Sequence, residues 1–362
     1  MCIRDRVVLD QTAFFPEGGG QPYDTGFLND AEVSSVTEKD GKIIHTVNKA
    51  FSANSSVEGR LDWKRRFSFM QQHTGEHIVS GLIHRRFHYD NVGFHMGKEA
   101  VTMDFSGPLS DKDLENIEYE ANLIIYRNAD IEISFPSSEQ LTKLNYRSKK
   151  EITDQVRIVT IPDCDCCACC APHALKTGEV GMIRLLSGQN YKGGTRVSML
   201  CGLRALKDYR AKTESVNSIS VLLSAKPDKI AEAVSHQKQQ LSCQKELITD
   251  LKQKAMTSEA ETIKPGKHFY IFKENLSPRE VRQFCNLLLP KFSGICAVLS
   301  ESEHNGYHYV IGSAVFDVRP LGRQCNSLFN GKGGGTKEMI QGNLKGEKND
   351  IEQFFTDYFL SI

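Results

Sequence analysis

The chain has no excess of charge of either sign, and its 362 residues contain no long apolar run. Lysine plus arginine and aspartate plus glutamate both number 45, so a polyanionic partner has to be met by local basic patches rather than by a global field. No apolar run approaches the roughly 18 residues that a membrane-spanning helix requires. The sequence therefore predicts no membrane association, and it restricts nucleic-acid binding to local surfaces.

A secretory signal is also lacking, and the eleven cysteines are an odd number. Disulfides persist in oxidising compartments, so this pattern predicts a reducing cytoplasm. The first residues, Met1-Cys2-Ile3-Arg4, run straight into Val7 to Leu9, which resembles a strand with no upstream partner. We therefore hypothesise that this N-terminus is truncated or artificial.

Four segments of the chain differ in their patterns. Residues 7–62 alternate short apolar runs with turn signals, which predicts a small antiparallel sheet or barrel-like module. Residues 63–206 alternate helical and strand patterns around a candidate zinc site, and residues 207–262 predict two helices, the second a coiled-coil-like arm. Residues 263–362 predict a separate α/β domain. The fold class is α+β, with domains at 1–62, 63–206, 207–262 and 263–362.

Two pairs of potential metal ligands share one spacing. His73 and His77 lie at i and i+4 of a predicted helix, so they can direct two imidazole nitrogens at one point. Cys169 and His173 have the same spacing, although Pro172 favours a tight loop there. One thiolate and three imidazoles suit the borderline-soft character of zinc. The sequence predicts one Zn²⁺ per chain; the alternative is a chance histidine pair on a solvated face.

The sulfur ligand is not fixed by spacing alone. A cysteine cluster in a chain without a secretory signal is typical of metal binding or redox chemistry. Five cysteines crowd seven residues: Cys164, Cys166, Cys167, Cys169 and Cys170. Cys166 and Cys169 form a Cys-x2-Cys pair that could hold a second metal or replace a ligand, and which sulfur of the cluster binds zinc stays open.

A metalloprotease pattern overlaps the same helix. His73-Thr74-Gly75-Glu76-His77 matches the His-x-x-Glu-His motif, in which Glu76 would be the general base. That alternative leaves the cysteine cluster without a role, whereas a four-ligand zinc site uses at least one cysteine.

Two glycine-rich segments are candidate ligand-contact loops. Gly18-Gly19-Gly20 precedes Gln21, and three residues without Cβ atoms let the backbone approach a ligand closely; the alternative is an ordinary hairpin loop. Gly333-Gly334-Gly335, with Lys332 and Lys337 beside it, lacks the order of a Walker motif, which excludes an ATPase. We expect a loop that enters a helix and cradles a phosphate; the alternative is a mobile surface loop.

These motifs, in this order, resemble the freestanding alanyl-tRNA editing proteins of the long AlaX type, which are similar to the editing half of alanyl-tRNA synthetase. The resemblance implies that the β module and the zinc domain form an editing unit. It also implies a DHH-associated C-terminal domain that helps to bind tRNA or to dimerise; the helical connector is a second candidate for dimerisation. The implied activity is hydrolysis of serine or glycine from mischarged tRNA(Ala), carried out in trans on a released tRNA.

The resemblance also implies roles for individual residues. The zinc ligands would be His73, His77, Cys169 and His173. Gln21, Glu76 and Thr74 are the catalytic candidates, and Thr25 joins Thr74 and Gln21 as a candidate for recognising the serine hydroxyl. The substrate-binding candidates are Gly18, Gly19, Gly20, Gly333, Gly334, Gly335 and Lys337.

Two functional questions stay open at this point. Zinc held by four protein ligands has no open position and would be structural, unless a ligand exchanges or the coordination expands to admit water. Alternatively, the zinc anchors the substrate while Glu76 or Gln21 orients the water. A non-catalytic RNA-binding protein with a structural zinc is the other alternative. The basic run Lys64-Arg65-Arg66, with Arg60 before it, is expected to meet tRNA phosphates.

Overall fold

The computed structural model describes residues 5–148, 156–302 and 306–362. The chain divides into two compact units, Met1–Pro227 and Asp228–Ile362, and the division falls at the predicted helix interruption near Pro227. The predicted α+β class is confirmed by several sheets and eight helices in the described ranges. The division into four domains, the barrel-like form of the first and the DHH-associated nature of the last stay predictions. None of the described helices is both long enough and apolar enough to cross a membrane.

The first unit begins with a five-stranded antiparallel sheet. Its strands are β1 (Asp5–Val8), β2 (Gly26–Leu28), β3 (Ala31–Lys39), β4 (Lys42–Val47) and β5 (Gly59–Leu61). Their order is β1-β4-β3-β2-β5, so β1 pairs with β4, which follows it in the chain. Phe14 and Phe15, which form one of the short apolar runs in residues 7–62, lie in a loop and not in a strand, and Phe14 is buried in the core beneath the sheet. The hypothesis of a truncated N-terminus was drawn in part from residues 1–4, and these lie outside the described ranges.

Helix α1 (Trp63–Phe87) follows this sheet directly. Its N-terminus is capped by Asp62, whose side chain accepts a hydrogen bond from the Arg65 amide at 3.1 Å; such a cap stabilises a helix by about 1 kcal/mol. Arg66 was expected on a phosphate-binding surface, and that expectation is wrong. The Arg66 guanidinium is buried, paired with the Asp24 carboxylate and donating to the Ala13 carbonyl at 2.6 Å.

The remainder of the first unit consists of two small sheets and three helices. Its elements are β6 (Asn91–Met96), β7 (Val101–Phe105), α2 (Asp111–Arg127), β8 (Glu132–Ser134), α3 (Ser138–Leu141), β9 (Ile158–Ile161), β10 (Asp165–Ala168), β11 (Ile183–Tyr191), β12 (Gly194–Cys201) and α4 (Gly202–Leu223). One sheet has the order β11-β12-β7-β6 and the other β10-β9-β8. Ser110 caps α2 in a capping box with Asp113. A continuous apolar core joins α1 and α2 to these sheets.

The second unit is a mixed sheet with helices. Its elements are α5 (Ile230–Thr262), β13 (Phe269–Lys273), α6 (Pro278–Leu288), β14 (Cys296–Ser302), β15 (Gly306–Gly312), α7 (Arg319–Leu328), β16 (Lys332–Gly335), β17 (Met339–Leu344) and α8 (Lys348–Ser361). The strand order is β13-β14-β15-β17-β16, with β13 and β14 parallel and the other pairs antiparallel. In the 33-residue α5 only Met256 and Ala260 are buried.

The glycine-rich segment near residue 333 does not lead into a helix, so that prediction is wrong. Gly333 and its neighbours form the edge strand β16, which pairs with β17 through a short turn at Thr336. Consecutive glycines disfavour a helix by about 1 kcal/mol each. Gly335, with φ of 158°, also adopts a backbone conformation that other residues rarely tolerate.

Gly81 sets how closely α1 approaches the turn before β10. A Cβ atom at this position would lie 2.6 Å from the Cys164 carbonyl oxygen and 2.7 Å from the Asp165 Cβ. Alanine favours a helix over glycine by about 1 kcal/mol, but overpacking costs about 1–3 kcal/mol and here requires a backbone shift. We expect Gly81→Ala to lower the free energy of unfolding by about 1–2 kcal/mol in urea titrations.

Gly18→Ala is the matched control, because a Cβ atom there would meet no atom closer than 3.9 Å. Its free energy of unfolding should stay within about 0.5 kcal/mol of the wild type. A Gly81→Ala protein as stable as the wild type would contradict this close packing.

Candidate metal centre

Helix α1 and the loop after β10 bring the four predicted metal ligands together. His73 and His77 are buried on one face of α1, with ring centroids 5.4 Å apart. Cys169 and His173 lie in a loop, as Pro172 predicted. One ligand atom from each of the four residues lies within 4.8 Å of the other three, and Cys169 Sγ is 3.6 Å from His73 Nε2. This separation suits several side chains arranged around one ion.

Each of the three imidazoles is held through its Nδ1 atom by an oxygen that only accepts hydrogen bonds. The pairs are His73 with Gln21 Oε1 at 2.9 Å, His77 with Asp165 Oδ2 at 2.9 Å, and His173 with the Ala171 carbonyl at 2.7 Å. Because the acceptors carry no proton, each Nδ1 is assigned the hydrogen. The Nε2 atoms are then available as ligands, and the orientation of each ring is fixed from behind.

The donor set fits a zinc ion. His173 Nε2 is buried and has no hydrogen-bond partner in the described structure, and a buried polar atom without a partner is destabilising. Burial lowers the pKa of His173 to about 4, so this imidazole is neutral near pH 7. Although burial opposes ionisation of Cys169, the close approach of the His173, His73 and His77 imidazoles lowers the pKa of its thiol to about 2. A thiolate and a neutral imidazole are the forms that bind metals.

The neighbouring cysteines differ from Cys169 in their protonation. Burial raises the pKa of the Cys164 thiol to about 12 and that of Cys167 to about 11. The pKa of Cys166 is also raised by burial, while Cys170 is exposed. A protonated thiol is a poor zinc ligand, so the geometry and the charge both favour Cys169, the residue that the sequence left ambiguous.

Asp165 and Arg147 support His77 from the far side. The Asp165 carboxylate accepts from Arg147 Nε at 2.7 Å and from Arg147 NH2 at 2.8 Å, in addition to His77. Burial would lower the pKa of His77, but hydrogen bonds to Asp165 and Cys169 and the nearby Glu76 charge raise it well above the ordinary value. Zinc binding therefore has to displace a proton from His77. Sequence reasoning missed both supporting residues, which lie 18 positions apart.

Glu76 is oriented by two neighbours that the sequence also did not reveal. Its Oε1 atom accepts from Ser80 Oγ at 2.8 Å and from Asn91 Nδ2 at 2.6 Å. The other oxygen, Oε2, lies 3.8 Å from His77 Nε2. One carboxylate oxygen is thus held in place while the other lies near the four ligands. Ser80 follows Glu76 by four residues, which is the only local signal in the sequence for this contact.

The glycine loop places Gln21 against the centre. Gly18 and Gln21 exchange backbone hydrogen bonds of 3.1 and 3.0 Å across a tight turn, and Gly20 has φ of 81°. A Cβ atom on Gly20 would lie 2.5 Å from the Phe94 ring, and this ring packs against His73 with centroids 5.1 Å apart. The side chain of Gln21 is 1% exposed, and its Nε2 has no recorded partner in the described structure.

The other predicted site residues lie apart from the metal ligands or have other partners. Thr74 Oγ1 accepts from the Ala174 amide at 3.0 Å, so it ties α1 to the loop that carries His173. Thr25 lines a separate cavity of about 460 Å³. Gly333, Gly334 and Gly335 form an exposed edge strand and Lys337 lies in the turn beyond it, all in the second unit. Their roles in substrate binding stay predictions.

A cleft of about 920 Å³ borders the residues that support the centre. Asn91, Arg147 and Asp165 line it, together with Arg85 and His88, whereas none of the four ligands does. The cleft therefore lies behind the supporting residues and not at the ligand atoms themselves.

Two family models match parts of the first unit. Residues 2–65 match the class II (A) tRNA synthetases. Residues 156–198, which include Cys169 and His173, match the second additional domain of threonyl and alanyl tRNA synthetases. The alanyl-tRNA editing protein AlaX-L of Pyrococcus horikoshii is 28% identical to 96% of this chain, which covers 90% of that protein. The chain is a homologue of the alanyl-tRNA editing proteins.

Similar proteins come from distant organisms. The editing protein Aarsd1-A of Xenopus laevis is 26% identical over 98% of this chain and 89% of its own length. An alanine–tRNA ligase of Pyrococcus abyssi is 31% identical over 95% of this chain. The chain spans only 40% of that ligase. A solved C-Ala domain of Aquifex aeolicus alanyl-tRNA synthetase matches 24% of this chain with a TM-score of 0.22, which is too low to assign a fold.

We predict that the wild-type protein binds about one zinc per chain and that Cys169→Ser does not. The serine hydroxyl stays protonated near pH 7 and cannot replace a thiolate ligand. Zinc content per chain, measured by mass spectrometry of the purified variants, tests this prediction. Cys170→Ser and Cys166→Ser are the matched controls and should retain about one zinc. Loss of zinc from a control variant with retention in Cys169→Ser would assign the sulfur ligand differently.

A second variant tests the support of His77. Asp165→Asn removes the charge that holds the His77 ring, and loss of such a partner reduces metal affinity by about 10- to 100-fold. Competition with a chromogenic chelator would measure the change in zinc affinity. Asp163→Asn is the control, since the Asp163 side chain is exposed and its only recorded ion pair in the described ranges is a 3.9 Å contact with Arg127. Equal zinc affinities for the two variants would contradict a role of Asp165 in holding His77 for metal binding.

Proposed function

We propose that this protein is a trans-editing hydrolase that removes serine, and more slowly glycine, from mischarged tRNA(Ala). Relatives of nearly equal length are named alanyl-tRNA editing proteins. The observation that carries the proposal is the convergence of the four predicted ligands beside Gln21, whose buried amide nitrogen lacks a partner. This places a hydrogen-bond donor next to a metal centre, an arrangement suited to ester hydrolysis.

The reaction requires little of the protein beyond positioning. An aminoacyl ester is already activated, so the site has to orient it, provide a deprotonated water and stabilise the tetrahedral oxyanion. Zinc held by His73, His77, Cys169 and His173 would supply a fixed positive charge that polarises oxygen atoms near it. Glu76 Oε2 would accept a proton from the attacking water, because Ser80 and Asn91 hold the opposite oxygen of this carboxylate.

Gln21 would recognise the substrate. Its Nε2 atom carries two hydrogens, of which one can donate to the ester carbonyl oxygen and the other to the serine hydroxyl. Alanine has no such hydroxyl, so one buried donor would be left unpaired, and this penalises the correct amino acid as a substrate. Glycine, like alanine, uses only the first hydrogen bond, and we therefore expect serine to be removed faster than either; any hydrolysis of glycine above that of alanine would reflect the smaller size of glycine and not this donor. Thr74 would act indirectly, by fixing the loop that carries His173.

The second unit would contribute to tRNA binding. Its edge strand β16 exposes a glycine backbone beside Lys332 and Lys337, which suits contact with a phosphate backbone. We include in the proposal that this unit, or the helical segment 207–262, binds tRNA or mediates a homodimer. The proposed partner is tRNA(Ala) carrying serine or glycine.

Deacylation assays test the proposed function directly. We expect rapid loss of serine from Ser-tRNA(Ala) and slower loss of glycine from Gly-tRNA(Ala). Hydrolysis of Ala-tRNA(Ala) should be slower than that of Ser-tRNA(Ala) by about 100-fold or more. Gln21→Ala should reduce serine hydrolysis by about 10²–10³-fold. Zinc content measured on the same preparation separates loss of the Nε2 donor from weaker metal binding, because Gln21 Oε1 also supports His73. The matched control is the exposed Gln189→Ala, which should behave as the wild type. Hydrolysis of Ala-tRNA(Ala) at the serine rate would contradict the assigned specificity.

The same preparation separates the two alternative functions. A metalloprotease would cleave peptides in a manner that depends on Glu76 and not on Cys169. A protein that binds tRNA and zinc but hydrolyses no ester would be a non-catalytic RNA-binding module.

A further inference from the structure

Arg157, which directly precedes β9, lies beside the loop that carries two of the metal ligands. The Cys169 amide donates to the Arg157 carbonyl at 3.0 Å, one position beyond the last residue pair of β9 and β10, Ile158 with Ala168. Residues directly opposite each other in an antiparallel pair project from the same face of the sheet. The side chain of Arg157 therefore lies on the face from which Cys169 approaches the other ligands.

One nitrogen of the Arg157 guanidinium holds this loop. Nη1 donates to the Cys169 carbonyl at 2.7 Å and to the Ala171 carbonyl at 3.0 Å. The Ala171 carbonyl also accepts from His173 Nδ1, so the guanidinium is linked to both ligands of the loop. These contacts fix the position of the guanidinium relative to the metal centre.

The other edge of the guanidinium has no protein partner in the described ranges. Nε and Nη2 of Arg157 donate to no recorded acceptor there, and neither atom is among the buried polar atoms that lack a partner. Both nitrogens are therefore open to solvent in this part of the structure. They form the edge of an arginine that binds a carboxylate or a phosphate through two parallel hydrogen bonds.

The same edge is occupied in other arginines of the first unit. Three of them use Nε and Nη2 to bind one aspartate carboxylate each: Arg66 with Asp24, Arg147 with Asp165, and Arg196 with Asp104. Arg157 has the same edge free, beside the metal ligands and without a carboxylate partner in the described ranges. An anionic ligand would complete the pattern.

The charge of Arg157 is also uncompensated. Burial lowers its pKa, and within the described ranges only the sulfurs of Cys169 and Cys170 are recorded as opposing that effect. Burial acts on Arg147 in the same direction, but there Asp165 raises the pKa above its ordinary value. When Cys169 binds a metal, the half-buried Arg157 would be left without a counter-ion, which is unfavourable for a partly desolvated cation. An anion bound to Nε and Nη2 would remove this penalty.

We propose that Arg157 binds the phosphate of the terminal nucleotide of the substrate tRNA through Nε and Nη2. This inference rests on the proposed function, because it assigns how the substrate of that reaction is held. The sugar that carries the aminoacyl ester also carries this phosphate, so an ester at the metal centre has its nearest phosphate only one sugar away. Arg157 and Cys169 belong to neighbouring strand positions, about 4.8 Å apart. The contact recognises the phosphate and not the base.

Two stable substrate analogues isolate the contribution of the phosphate. One is adenosine with serine joined to its 3′ position by an amide in place of the ester, and the other carries a 5′-phosphate in addition. We expect the zinc-loaded wild-type protein to bind the phosphorylated analogue about 10- to 100-fold more tightly in titration calorimetry, since hydrogen bonds between charged groups are strong. Equal affinities for the two analogues, or no binding of the phosphorylated one, would overturn the proposal.

Substitutions assign this preference to Arg157. Arg157→Gln should bind both analogues with nearly equal affinity, and Arg157→Lys should keep only part of the preference, because lysine presents a point charge and no fork. The ratio of the two affinities is taken within each variant, so a change in the loop that weakens both analogues equally cancels.

Arg204→Gln is the matched control for these variants. Arg204 also donates from one nitrogen to two backbone carbonyls, those of Gly97 and Lys98, and burial lowers its pKa as well. This variant should keep the wild-type ratio of affinities. A wild-type ratio in Arg157→Gln would assign the phosphate to another residue and overturn the proposal.

The outcome can be separated from that of the deacylation assay. A phosphate preference that depends on Arg157, without hydrolysis of Ser-tRNA(Ala), would support the anion site and reject the proposed enzyme. Hydrolysis of Ser-tRNA(Ala) by a wild-type protein with no phosphate preference would support the enzyme and reject the role of Arg157. Zinc content shows whether each variant still holds the metal. If Arg157→Gln loses zinc, Arg157→Lys decides, because a wild-type ratio there would contradict the two-nitrogen contact.

Discussion

Three imidazoles and a thiolate meet at one buried point, and much of the first unit is arranged to keep them there. Buried nitrogen lone pairs without partners are destabilising, and His173 Nε2 is such an atom. The protein fixes the rings through Nδ1 acceptors and leaves the Nε2 atoms facing one another. This arrangement is unfavourable for the protein alone and favourable around a cation, so metal binding and local folding are coupled.

The acceptors themselves come from three parts of the fold. Gln21 belongs to the glycine loop, Asp165 to β10 and the Ala171 carbonyl to the loop beyond it. The buried Arg66–Asp24 pair helps to position the first of these, and the Arg147–Asp165 pair the second. A buried charge pair is strongly destabilised when one partner is removed. Both pairs therefore restrict the geometry of the centre more than they contribute to net stability.

The ligands were predictable from the sequence, whereas their supports were not. The spacing of His73 and His77 on a helix, and of Cys169 and His173 in a proline-containing loop, follows from local periodicity. Asp165 contacts His77 across 88 positions, and no local pattern encodes such a contact. The prediction that Arg66 meets tRNA phosphates failed for the same reason. The sequence shows that Arg66 is charged, but its burial against Asp24 depends on tertiary packing. The hairpin at Gly333 was missed because glycines are compatible with both a loop and an edge strand.

The four ligands also differ in their exposure, and this difference bears on how a substrate could reach the centre. His73, His77 and His173 are each at most 3% exposed, whereas Cys169 is only partly buried. A centre with four protein ligands has no vacant position, and zinc in such a site is ordinarily structural. Access from the side of Cys169 would leave the three imidazoles and their supports undisturbed. On that side the proposed ester hydrolysis would depend on groups that are not ligands, namely the Gln21 amide and Glu76 Oε2, which lies 3.8 Å from His77 Nε2. A bound metal would then hold the site together, while these neighbouring side chains would select and activate the ester.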